Sequence, residues 1–183
     1  MSILRPYVIA LTIVLIDQIS KWMVKSWMII HDSIPLIGST IQLTYIENPG
    51  MAFGIRFFES HPFWGRWFFS VVSIVASIGL VWYIYQARKE TILYRTSLGL
   101  ILGGAVGNLI DRVLFGRVVD FMDVDIPDVF GMHRWPVFNV ADSAVVVGMI
   151  IMTFFVIFHK PGDQEGQIPL ESETAANPGS GSE

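Results

Sequence analysis

Asn108, Asp111 and Arg112 lie within "GNLIDRVLFGRVVDF" (107–121), and Asp120 follows Arg112 by eight residues, in a chain that is 52% hydrophobic and only 15% charged. An ionisable group at the centre of a bilayer costs about 2.5–3.5 kcal/mol on insertion scales. Several of them in one short stretch need a reason. Asp142 in "FNVAD" adds a second isolated acid, with no basic residue within seven positions. Two carboxylates brought together in a poorly solvated place cannot both ionise comfortably, so the pair holds a single proton near neutral pH. Such a pair offers a base to activate water and an acid to polarise a carbonyl, the chemistry of aspartic proteases.

The plainer reading is interhelical glue. Asp17 and Lys21, four apart, share a helix face and can pair. Asp111 has Arg112 beside it, and that pair reads in the same way. Asn108 and Asn139 suit either role. Asp120 and Asp142 fit glue poorly, because few charges compensate them.

Other chemistries find less support. His31, His61, His133 and His159 are scattered without zinc-type spacing, and there is no cysteine. Ser20 beside Lys21, and Ser143 beside Asp142, are adjacent on a helix and do not face each other. No P-loop or dinucleotide glycine pattern occurs, and "LGGAVGN" (102–108) reads as small residues for close helix packing. No metal or cofactor is expected, and no basic stripe suggests nucleic acid.

The elements that must position these residues are membrane spans. A spanning helix needs about 20 mostly apolar residues. Four stretches qualify, near Tyr7–Ile30, Phe63–Tyr85, Thr96–Phe115 and Trp135–Phe158. The first is not read as a removable signal peptide, since polar residues occupy the place of a small-residue cleavage site. Residues 39–57 alternate at Ile41, Leu43 and Tyr45 and break at "NPG", which predicts a small hairpin or curved sheet on the membrane surface. Residues 116–134 read as a polar, acid-rich loop. Residues 161–183 hold five acids and no Lys or Arg, and are expected to be a disordered tail behind a membrane domain of residues 1–160. Four spans put both termini on one side, together with the short basic loop 87–95. Arg88, Lys89 and Arg95 argue that this side is the cytoplasm, although the raw Lys and Arg count is five inside against seven outside. The polar residues of spans one, three and four then converge on one pocket at the outer face, with Asn139 and Asp142 sharing a face at the start of span four.

A transporter of protons or cations is the rival reading. Against it, the polar residues cluster at one face and form no chain across the bilayer.

The set "DQISK" (17–21), "ENPGMAFG" (47–54), "GNLIDR" (107–112), "GRVVDF" (116–121) and "FNVADS" (138–143) resembles the lipoprotein signal peptidases, signal peptidase II, over residues 5–160. The resemblance implies a membrane α-helical fold: four transmembrane helices with a small periplasmic β-cradle at 39–57 and a flexible periplasmic loop after Asp120. It implies an aspartyl endopeptidase of the bacterial inner membrane. Such an enzyme cuts prolipoproteins just before a cysteine that carries diacylglycerol. By motif match the catalytic pair is Asp120 and Asp142. Asn48, Asn108, Asp111, Arg112, Asn139 and Ala141 match positions lining the site, and Asp17 and Lys21 match the first-helix pair. The implied partners are diacylglyceryl-modified prolipoproteins, membrane lipids and globomycin-type inhibitors, with the protein acting as a monomer.

Overall fold

The computed structural model describes residues 3–49, 62–129 and 132–158. Four helices, α1 (Arg5–Trp27), α2 (Pro62–Gln86), α3 (Ile92–Phe115) and α4 (Val140–Phe158), are long and apolar enough to cross a membrane. Four strands accompany them: β1 (Ser33–Ile37), β2 (Ile41–Asn48), β3 (Val118–Val129) and β4 (Met132–Arg134). This is a multi-pass membrane protein with a small antiparallel sheet.

Local sequence sets the helix ends. Thr91 caps α3 by accepting the Tyr94 N–H at 3.4 Å. The helix stops where Gly116, at φ 75°, adopts the left-handed conformation and returns its N–H to the Arg112 carbonyl. α3 is the central helix, packed against the other three. Its glycines are the reason it can be. A Cβ on Gly103 would lie 2.8 Å from Ile13 Cβ and 2.9 Å from the Ala10 carbonyl, and one on Gly104 would run into the Ala141 carbonyl. The expected role of "LGGAVGN" is therefore what the packing shows. The outward faces of the helices carry exposed Leu, Ile, Val and Trp, as lipid requires. Two buried clusters hold the ends. Ala10, Ile84, Leu98 and Leu102 form one; Val24, Tyr45, Val119 and Phe121 join α1 to the sheet in the other.

The sheet runs β1-β2-β3-β4. Its first hairpin turns at residues 38–40, with Gly38 at φ 53°, rather than at "NPG"; residues 50–57 of the expected hairpin lie outside the described residues. Residues 116–134, expected as a loop, instead supply β3 and β4. β3 pairs with β2 at Leu43↔Met122 and Ile46↔Asp120, so Thr44 and Tyr45 oppose Phe121 alone. That is a β-bulge beside Asp120. On the other edge the Phe138 carbonyl accepts the Phe121 and Met122 N–H groups at 3.1 and 2.7 Å. This bridge holds the segment before α4 extended, so α4 starts at Val140 and not at Trp135. The tail, 161–183, lies outside the described residues.

Candidate active site

Asp17, Asp111, Asp120 and Asp142, gathered at the sheet end of the bundle, are each tied to Lys21 or to an asparagine. Lys21 Nζ, one turn after Asp17 on α1, lies 2.8 Å from Asp17 Oδ2, 3.1 Å from Asp111 Oδ2 and 2.9 Å from Asn108 Oδ1. Its three N–H donors thus have three acceptors. The acids have further donors. Ala141 N–H donates to Asp17 Oδ1 at 2.9 Å, and Val119 N–H to Asp111 Oδ2 at 3.1 Å. Gln18 Nε2 donates to Asp111 Oδ1 at 3.0 Å and to the Gly107 carbonyl at 3.1 Å. A buried charge is tolerable only when paired and hydrogen-bonded in this way. The Asp17–Lys21 pair stands as expected. Asp111, however, bonds to Lys21 rather than to its sequence neighbour Arg112, because consecutive helix residues point in different directions.

Asn108 and Asn139 connect this charge cluster to the two isolated acids. Asn108 Oδ1 accepts from Lys21, while its Nδ2 donates to Asp142 Oδ1 at 2.8 Å. Asn139 Nδ2 is aimed at Asp120 Oδ1 (2.7 Å), Asn108 Oδ1 (3.0 Å) and the Val119 carbonyl (3.2 Å). Asn139 does not share a helix face with Asp142. It precedes α4 as its cap: its Oδ1 accepts the Asp142 N–H at 2.9 Å, and its own N–H donates to Asp142 Oδ2 at 3.2 Å. This reciprocal pair is a capping box, with Asn in the cap position and Asp three residues on. One residue therefore holds Asp120 by its side chain and Asp142 by its backbone.

Asp120, on β3, is 3% exposed. Burial, and then the Asp142 carboxylate, push its carboxyl up to about 7, against hydrogen bonds from Asn48 and Asn139 and the charge of Lys21. Asn48 Nδ2 donates to Asp120 Oδ2 at 3.1 Å from the end of β2. Ala141 is fully buried, and a Cβ on Gly107 would sit 3.1 Å from its methyl and 2.7 Å from Asp17 Oδ2. Only small residues at 107 and 141 let α1, α3 and α4 meet at this depth.

Asp17, Lys21, Asn48, Asn108, Asp111, Asp120, Asn139, Ala141 and Asp142 are thus linked in one place. Arg112 stands at its edge, with its guanidinium 5.9 Å from the Phe69 ring centroid and its buried Nε without a hydrogen-bond partner among the described residues. Ser20 and Ser143 bond back to the Asp17 and Asn139 carbonyls, so neither hydroxyl is offered as a nucleophile. Gln18 is the residue that the sequence reading passed over. An amide inside a span was its available signal.

A four-helix bundle capped by a sheet, with its acids gathered at the capped end, falls in the class of multi-pass membrane enzymes. Two solved structures described as bacterial membrane enzymes share the fold. One has a TM-score of 0.75 at 32% identity, covering 90% of this chain and 94% of that one. The other has a TM-score of 0.71 at 32% identity, covering 85% and 94%. The lipoprotein signal peptidase of Moorella thermoacetica is 43% identical over 161 residues, spanning 88% of this chain and 97% of that protein. That of Desulforapulum autotrophicum is 40% identical over 164 residues, again spanning 88% and 97%. The family model for signal peptidase (SPase) II matches residues 9–158, and the chain belongs to that family.

Proposed function

We propose that this membrane peptidase removes signal peptides from prolipoproteins by cutting just before the diacylglyceryl-modified cysteine, with Asp120 and Asp142 as an aspartyl dyad. The observation that carries the reading is Asn139 bridging these two acids, Asp120 buried and Asp142 half-buried. Burial and the Asp142 carboxylate push Asp120 up to about 7, so the pair can keep a proton toward neutral pH. The pair then holds one proton between two carboxyls. The ionised carboxylate takes a proton from water, the water attacks the scissile carbonyl, and the protonated carboxyl stabilises the developing oxyanion. Asn108 and Asn139 fix the two acids. Asp17, Lys21 and Asp111 fix Asn108 and the first turn of α4.

The position suits the substrate. A lipidated peptide arrives sideways in the bilayer, and its bond is cut at the interface while its acyl chains stay in lipid. Our reading places the protein in the bacterial inner membrane as a monomer, with both termini in the cytoplasm and the dyad near the periplasmic face. It takes residues 1–160 as the peptidase unit, which globomycin-type inhibitors would occupy, and 161–183 as a dispensable tail. The test is to mix the purified protein with a diacylglyceryl-modified prolipoprotein and with its unlipidated form. Cleavage of the lipidated form alone, lost in Asp120→Asn and in Asp142→Asn, is the expected result. Cleavage of both forms, or full turnover in either variant, overturns the reading.

A further inference from the structure

One buried acid of the sheet has no part in the proposed chemistry. Asp123, three residues after Asp120 on β3, is 7% exposed. Its Oδ1 accepts Arg134 Nε at 2.9 Å, and its Oδ2 accepts the Thr44 hydroxyl at 2.8 Å. The Thr44 proton goes to this carboxylate, so in the Ser33–Thr44 hydroxyl pair (2.9 Å) Ser33 is the donor. Arg134 also donates to the Ser39 carbonyl through both terminal nitrogens, each at 3.3 Å. A single line of hydrogen bonds crosses all four strands and closes on the tip of the first hairpin, where Asp125 N–H donates to the Thr40 carbonyl at 2.8 Å.

Thr44 is one of the two bulge residues opposite Phe121, the residue that follows Asp120. A bulge bends its strand and increases the local twist, re-aiming nearby side chains. Thr44 and Tyr45 are held on their β1 side by Ser33, Asp32 and His31, but break register with β3, and reacting groups need placement within about 0.5 Å and 10–20°. An Arg–Asp pair whose arginine is partly exposed adds little to stability. The geometry therefore points to precision rather than to strength.

We propose that Asp123, with Arg134 and Thr44, forms a positioning cluster: it locks the Thr44–Tyr45 bulge and so sets the angle at which Asp120 meets Asp142. This rests on the aspartyl reading above. Thr44→Val removes the hydroxyl and keeps the branched shape; Thr44→Ser keeps the hydroxyl. Each is assayed on a diacylglyceryl-modified prolipoprotein beside Asp123→Asn and Asp120→Asn. In Thr44→Val, kcat is expected to fall about ten- to a hundredfold with KM within about twofold, and Thr44→Ser to recover most of kcat. Asp123→Asn follows Thr44→Val, because an amide in place of Oδ1 or Oδ2 loses one of its two donors. Parental kcat in Thr44→Val, a loss confined to KM, or an equal loss in Thr44→Ser overturns the cluster. If Asp120→Asn is dead while Thr44→Val is fully active, the cluster alone falls; if Asp120→Asn retains turnover, the aspartyl reading falls and takes the cluster with it.

Discussion

Replacing Asp120 by Asn removes a carboxyl whose proton is held to about 7 in the folded protein and to 3.8 in its ordinary state. Between these values the unfolded chain releases the proton and the folded chain keeps it. Folding stability therefore falls as the pH rises through that window and levels off above it. The gap is worth about 4 kcal/mol at ~1.36 kcal/mol per pKa unit. An amide does not ionise and escapes this loss. It incurs another, because Asp120 accepts from Asn139 at 2.7 Å and from Asn48 at 3.1 Å, and one of those donors would meet the new amide nitrogen. A buried group left unsatisfied costs about 1–3 kcal/mol. The difference leaves Asp120→Asn about 1–3 kcal/mol more stable than the parent at about pH 8.5, and less stable by about the same amount at about pH 2, below both pKa values, where neither state of the parent is ionised. The stability curves cross. Thermal melts in detergent across that range read the crossing, and cleavage of a lipidated prolipoprotein, followed in parallel, should fall about 10²- to 10⁴-fold. Melting curves that stay parallel at every pH would refute the raised pKa, and undiminished cleavage would refute the role.

Lys21→Met strips a cation shared by Asp17, Asp111 and Asn108 and strands two buried carboxylates; a loss of about 3–5 kcal/mol is expected, and an unchanged melting temperature contradicts the network. Gly104→Val should prevent α3 from seating against Ala141, whereas a Cβ on Gly79 meets nothing within 4 Å, so Gly79→Ala should be neutral or slightly stabilising; the folded yields of the two variants decide it. A reporter fused after Lys160 should be active only in the cytoplasm and one placed between β3 and β4 only outside, and the opposite pattern inverts the topology. EDTA should leave cleavage untouched; inhibition that zinc reverses would point to a metallopeptidase.

The spans were legible because apolar runs of that length have few alternatives. Their polar residues were legible because hydrocarbon makes each one conspicuous. β3 was hidden by its acids: Asp123 and Asp125 alternate with Met122, Val124 and Ile126 at the period of a strand, yet the density of charge resembles a loop. The partner of Asp111 was hidden by adjacency. Arg112 is next to it in the chain but turned about 100° away around the helix, while Lys21, 90 residues earlier, is its neighbour in space. The Asn139–Asp142 spacing carried the signature of a capping box. It read as a shared helix face because span four was begun too early, at Trp135.

The hydrogen bond from Ala141 to Asp17 joins residues 124 apart, so the site depends on both α1 and α4, made at well-separated moments of synthesis. Asp120 is synthesised before Asp142, and the capping box that orients Asp142 needs the opening turn of α4. On the proposed chemistry, a nascent or prematurely terminated chain therefore holds no competent dyad at any length short of α4. On that chemistry the nascent peptidase stays latent until α4 is in place. Its activation coincides with the insertion of α4, which keeps a half-made enzyme from cutting what passes through the same membrane.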